Sequence, residues 1–361
     1  MSKINLSDVR NFKEFLNKIK GNLNLDSSNH TLKIYCLNSE LSKEEFEEEI
    51  ISQYPNSKII EDFISTNISE LKNDDDINLY SYKDPSSPAI FVLSIFGKGK
   101  LDTVVDQLIK KLPKTYYFWL PVSIFDEVKE EIIDNFTEEG ISIDYFTALR
   151  APHFENNCDF RPNEKRRIEY SGRDGLEVMR EMRQFYGVLP KKISFQVGKK
   201  IKFSMDQRNT FIINQGLPYL NQVLDVIQIG LSKFAKIEEI LSEIRFEKVQ
   251  YNGNVDFEIT PLNIEFSNKK NVEDIEHFFN LIESNQEGRY SVINPLLIEG
   301  SLFFSATILD VNKKAMFSIT GNEKNMNILP QIRCGKETIS RFYEEVDLNL
   351  DNHTMLIKQN D

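Results

Sequence analysis

Ala89-Ile90-Phe91-Val92-Leu93-Ser94-Ile95-Phe96 is the longest apolar stretch of the chain. It is apolar on both faces of an extended strand, which implies a central strand covered on each side. Leu101, Val104, Val105, Leu108, Ile109 and Leu112 follow at helical spacing, so a strand leads directly into an amphipathic helix.

On either side of this pair the same alternation continues. Upstream, 31–37 is rich in β-formers and precedes a capping box at Ser42 and Glu45, which opens a helix with Phe46, Ile50 and Tyr54 on one face. A short strand is predicted over 77–82. Downstream come a predicted strand over 115–122, a second capping box at Ser123 and Asp126, a helix bearing Phe125, Val128, Ile132 and Phe136, and a strand over 141–149. Val9, Phe12, Leu16 and Ile19 form one side of a helix at the start of the chain. Strands alternating with helices predict an α/β layer domain over residues 1–150, with this amphipathic helix at its front.

Residues 151–164 show neither period and carry Pro152 and Pro162, so they are expected to be a linker. Beyond it, strands and helices group differently. A strand at 167–170 and a helix over 173–186 precede three short strands at 192–197, 200–205 and 210–214, then a long helix over 218–244. An Asn252-Gly253 hairpin, a helix over 272–282 and a second hairpin over 301–320 complete the pattern. Helices packed on antiparallel meanders predict an α+β region over 165–361, divisible near residue 250.

The 361 residues carry a net charge of -12, which offers no global attraction to nucleic acid or to an anionic membrane. The segment Met1 to Leu6 lacks the apolar core of a signal peptide, and no apolar run is long enough to span a bilayer. Three widely spaced cysteines, Cys36, Cys158 and Cys334, make no disulfide framework, so a reducing cytoplasm is the expected location and no membrane partner is expected. His30, His153, His277 and His353 are isolated from one another, and no metal or cofactor is expected.

Gly97, Lys98, Gly99 and Lys100 join a strand to a helix, where backbone N–H groups could hold a phosphate. They lack the spacing of a P-loop, so a plain turn is the first reading. Trp119 lies in an apolar stretch with Tyr116, Tyr117 and Phe118 and is read as core rather than as a stacking platform. No nucleophile elbow, kinase set or carboxylate constellation stands out.

Arginine is the one strong local signal. Seven of the thirteen arginines lie between Arg161 and Arg208, a window of net charge +7, whereas residues 1–160 have a net charge of -11. The candidate polyanion-binding residues are Arg161, Lys165, Arg166, Arg167, Arg173 and Arg180, together with Arg183, Lys191, Lys192, Lys199, Lys200 and Lys202. At helical spacing Arg173, Arg180 and Arg183 share a stripe roughly 80° wide. Guanidinium forks match phosphate oxygens, and lysines add point charge. The expectation is a binding or accessory protein whose basic face takes nucleic acid or another polyanion. Three readings compete with it. The face pairs with the acidic first domain, or it belongs to an enzyme acting on a phosphorylated or nucleic-acid substrate with residues from both domains, or the chain is a structural subunit docking through its apolar helices.

Overall fold

The computed structural model describes residues 9–22, 31–68, 77–96, 101–150, 166–186, 188–251, 254–284, 289–300, 302–351 and 354–357. In order, the chain forms α1 (Phe12–Asn22), β1 (Thr31–Ser39), α2 (Lys43–Gln53), β2 (Lys58–Ile60), β3 (Phe63–Ile68), β4 (Ile77–Lys83), β5 (Ala89–Phe96), α3 (Leu101–Lys111), β6 (Thr115–Tyr117), α4 (Val122–Asn135) and β7 (Ile141–Arg150). It continues with β8 (Arg166–Ser171), α5 (Gly175–Tyr186), β9 (Val188–Val197), β10 (Ile201–Asp206), β11 (Thr210–Gln215) and α6 (Leu220–Glu243). The last third holds β12 (Arg245–Tyr251), β13 (Asn254–Thr260), β14 (Leu262–Glu265), α7 (Val272–Ser284), β15 (Tyr290–Ile298), β16 (Phe303–Asp310), β17 (Ala315–Asn322), β18 (Asn325–Pro330), α8 (Lys336–Asn349) and β19 (Met355–Ile357).

Helices and antiparallel sheets are mixed throughout, as the α/β plus α+β pattern of the sequence implies. The first sheet is ordered β2-β3-β4-β5-β1-β11-β10-β9-β7-β8, with β6 paired to the end of β1. The second is ordered β15-β16-β17-β18-β14-β19, and β12 and β13 form a separate hairpin. β5 is central, as its two apolar faces require. Ala89 and Leu93 face one core, shared with α1, while Ile90 and Val92 face another under α2 and α3. Each fully buried Leu or Val contributes about 1.5–3 kcal/mol relative to exposure, so α3, with five buried apolar positions, is held mainly by this face.

Strand pairing corrects the expected boundary at 151–164. β7, before it, pairs with β8 and β9, after it, and β11 pairs with β1, so one sheet takes strands from both sides. A break in periodicity marks a connection, and a connection can join neighbours of one sheet as readily as two domains. The chain leaves this sheet only after Gln215. There Gly216 adopts a left-handed conformation (φ +93°), and an added Cβ would lie 2.4 Å from the Lys200 carbonyl oxygen.

Two further expectations change. β6 ends at Tyr117, and the Ser123 capping box is absent, because α4 begins at Val122 with no side-chain cap of its own. Its first N–H instead donates to Asp347 of α8 at 3.1 Å, and Asp126 is drawn into ion pairs. The apolar faces that suggested a docking subunit are occupied within the chain: Phe15 and Ile19 of α1, and Val223, Ile227 and Phe234 of α6, are buried in the core. No helix among the described residues is long and apolar enough to cross a membrane.

Candidate anion-binding cleft

The basic segment is divided among different places rather than forming one face. Arg161 and Lys165, like Gly97, Lys98, Gly99 and Lys100, lie outside the described residues, as does the Arg166 side chain. Arg173 is exposed and precedes α5, so it is not part of the helical stripe. α5 packs over β7, with the backbone of Gly175 so close to Ile143 that an added Cβ would sit 2.4 Å from the Ile143 carbonyl oxygen. That is the face of the sheet on which α4 also lies, and the two helices exchange charges. Arg183 bonds Asp126, Arg180 lies 3.9 Å from Glu130, and the nearly buried Lys129 lies 2.5 Å from the other oxygen of Asp126. Pairing with acidic residues of the first 150 positions therefore accounts for the two helical arginines. Lys199 and Lys200 sit in the exposed β9–β10 turn, where Lys200 lies 5.7 Å from the centre of the Tyr219 ring.

The opposite face of the sheet is where basic side chains converge on a cavity. Strand alternation places Lys192 and Ser194 of β9, Ser204 and Asp206 of β10, and Tyr145 and Thr147 of β7 on this face, while Ile193, Phe195, Phe203, Met205 and Phe146 fill the core behind it. The registers align them in two rows. One runs Ser171, Tyr145, Ser194, Ser204, Ile212, Lys33 across six strands, and the next contains Glu169, Thr147, Lys192 and Asp206.

Two bulges then break the alternation where it matters. Thr147 opposes Lys192 but Ala148 opposes Pro190, so Lys191 is an extra residue in β9. Its side chain joins that of Lys192 on one cavity, although consecutive strand residues ordinarily point to opposite faces. In the same way Ile143 opposes Phe195 and Tyr145 opposes Ser194, which leaves Asp144 as the extra residue of β7.

The resulting cleft has a volume of about 460 Å3 and brings together Arg167, Lys191, Lys192 and Arg208, against the two carboxylates Asp206 and Glu344. Arg208 stands between two acids, 3.9 Å from Asp106 and 3.9 Å from Glu344, with its guanidinium 5.1 Å from the Tyr117 ring centre, and Arg167 lies 3.3 Å from Glu169. Burial pushes the Asp206 carboxyl above its ordinary value, outweighing the N–H groups of Thr210 and Arg208 that it accepts and the charges of Arg208 and Lys192. Trp119 forms part of the wall at 6% exposure, and its indole N–H has no acceptor among the described residues. The wall is tied in place from both sides, since Leu120 N–H donates to the Gln207 carbonyl (2.7 Å) and Gln207 N–H donates to the Lys191 carbonyl (3.1 Å). Trp119 is thus both packed, as its apolar setting implies, and part of the cleft.

Reasoning from sequence did not single out Trp119 or Asp206 as cleft residues, nor Ser194 and Ser204 as their neighbours on the same face. A signal was present in Lys192-Ile193-Ser194-Phe195-Gln196-Val197 and Lys202-Phe203-Ser204-Met205-Asp206, which alternate polar and apolar and so mark a strand face without a hydrophobic cover. Among the described residues no group of histidine, cysteine and carboxylate side chains is arranged to hold a metal.

The AF_0896_M family model, described as a family middle domain, matches residues 123–208. The match runs from the first turn of α4 to Arg208. It includes both basic surfaces, while Trp119 and Glu344 complete the cleft from outside it. An uncharacterized protein of Archaeoglobus fulgidus is 24% identical over 285 residues, covering 75% of this chain and 74% of its own length.

Proposed function

We propose that the protein binds a phosphate-bearing polyanion, and that the cleft on the open face of the first sheet, rather than the stripe of α5, is the contact surface. The observation that carries this reading is the convergence of Arg167, Lys191, Lys192 and Arg208 on one concavity in a chain whose net charge is -12. A local positive site in an acidic protein focuses anions at one place. Its volume of about 460 Å3 lies within the range of pockets that enclose small ligands.

The reading includes a cytoplasmic location, because Cys36 and Cys334 are free and a reducing compartment keeps thiols in that state. Nucleic acid remains within the polyanion class, read through its backbone rather than its bases.

Trp119 is the only tryptophan in the chain, so its fluorescence reports on the cleft directly. Titration with tripolyphosphate, single-stranded and duplex DNA, and RNA at low salt is expected to change its emission saturably, with affinity falling as salt rises. If none of them alters the emission or is retained in a filter-binding assay at low salt, the reading fails.

One observation favours a second reading, an enzyme acting on a phosphorylated substrate. Asp206 has a raised pKa and stands in register with Lys192 in the cleft, an arrangement that suits a proton donor beside a phosphoryl group. Release of phosphate from p-nitrophenyl phosphate by the wild type, abolished in Asp206→Asn, would support it.

A further inference from the structure

Lys192 also lines a second cavity of about 570 Å3, next to the basic cleft on the same face of the sheet. The chemistry of this neighbour is different. Two of its lysines are already engaged, Lys33 with Asp102 at 3.1 Å and Lys202 with Asp144. Neutralised in this way, they offer little to a second phosphate. The floor is instead made of hydroxyls: Ser194 and Ser204 face each other across β9 and β10 at 6% and 5% exposure. Hydroxyls both donate and accept, which suits a ligand rich in hydroxyl groups. Asp144, the partner of Lys202, lines the same cavity, and its Oδ1 atom is buried and accepts no hydrogen bond among the described residues.

The two cavities are in phase. Ser194 follows Lys192 by two residues on β9, and Ser204 precedes Asp206 by two on β10, so the hydroxyl row and the basic row are separated by about 7 Å. That distance is of the order of one sugar ring and its phosphoester link. The depth of Ser194 and Ser204 favours a thin, compact ligand over a polymer lying on the surface.

Resting on the reading that the cleft holds a phosphate, we propose that the two cavities form one site for a sugar phosphate. The phosphate sits among Lys191, Lys192 and Arg208, and the sugar hydroxyls meet Ser194 and Ser204. The cleft thus provides charge attraction, and the second cavity provides selection for a hydroxylated body.

Calorimetric titration of the full chain tests this with inorganic phosphate, tripolyphosphate, butyl phosphate and a panel of pentose and hexose monophosphates. At least one sugar phosphate is expected to bind ten-fold or more tightly than both inorganic phosphate and butyl phosphate, which has the phosphate but no hydroxyls. Ser194→Ala with Ser204→Ala is expected to remove that preference and leave phosphate binding unchanged. If tripolyphosphate binds and no sugar phosphate exceeds butyl phosphate, the two-part site is overturned and the anion cleft stands. The two-part site is equally overturned if the double serine variant folds and keeps the full preference. If nothing binds, tripolyphosphate included, the cleft reading falls as well. The butyl phosphate comparison needs no variant, so it decides the matter even where the serine substitutions disturb folding.

Discussion

The two faces of the first sheet carry the same kind of residue in two different conditions. On one, Arg180 and Arg183 of α5 meet Glu130 and Asp126 of α4, and the local charge is answered within the chain. On the other, Arg167, Lys191, Lys192 and Arg208 border a cavity lined by Asp206 and Glu344, with Glu169 beside Arg167 and Asp106 beside Arg208. A count of basic residues along the sequence treats these groups alike. The fold separates them, because a strand places alternate residues on opposite sides and α5 covers one side only. Positive charge packed between two helices is part of the architecture, while positive charge beside a concavity borders open space even where it has an acidic neighbour.

The largest expected effect lies on the helical side of the sheet. Lys129 is 3% exposed and lies 2.5 Å from Asp126, which also holds Arg183, and 2.8 Å from Glu130. Removing Asp126 leaves the buried Lys129 with Glu130 alone and takes the partner of Arg183, so Asp126→Ala is expected to destabilise the fold by about 2 kcal/mol in urea denaturation. A loss below about 1 kcal/mol would mean that the pairing of α4 and α5 is incidental, and the contrast between the faces would be lost.

A smaller effect lies on the cleft side. Asp206 is the carboxylate in register with Lys192, and its negative charge opposes an anion in the cleft. Because burial raises its pKa, it becomes neutral as pH falls through that raised value, so wild-type anion affinity is expected to strengthen on acidification. Asp206→Asn should bind tripolyphosphate about ten-fold more tightly above that pH and show a flatter profile. An unchanged affinity with an unchanged profile would place the anion elsewhere. The smallest effect belongs to the rim of the helical pair: Arg180 and Glu130 are exposed and 3.9 Å apart, so Arg180→Ala should alter stability by no more than about 0.5 kcal/mol.

Much of the fold was legible because it rests on local periodicity. The two-faced run Ala89–Phe96, the helix Leu101–Lys111 and the capping box at Ser42 each name their own environment. α8 is hidden in the sequence because its buried face mixes Thr338, Ser340, Asp347 and Asn349 with Ile339, Phe342 and Val346, which weakens the apolar signal. The boundary expected at 151–164 fails because strand partners distant along the chain leave no trace in local composition: Leu149 pairs with Arg167, and Leu32 with Ile213. The site was legible as an excess of arginine but not as a place. What brings Lys191 beside Lys192 is a bulge, and a bulge depends on the register of β7 against β9, which neither strand encodes alone.

If the anion is held by the cleft and not by the helix, charge reversal at the two places must have unequal consequences. Trp119 fluorescence titration with tripolyphosphate measures this, run in parallel on Lys191→Glu with Lys192→Glu and on Arg173→Glu with Arg180→Glu. Both pairs reverse two charges, and both variants are first checked for native unfolding profiles. With each charge-assisted contact contributing about 1.5–3 kcal/mol, the cleft variant is predicted to lose about 100-fold or more in affinity, and the helix variant less than about threefold. The reverse ranking, or an equal loss in both, would contradict the account.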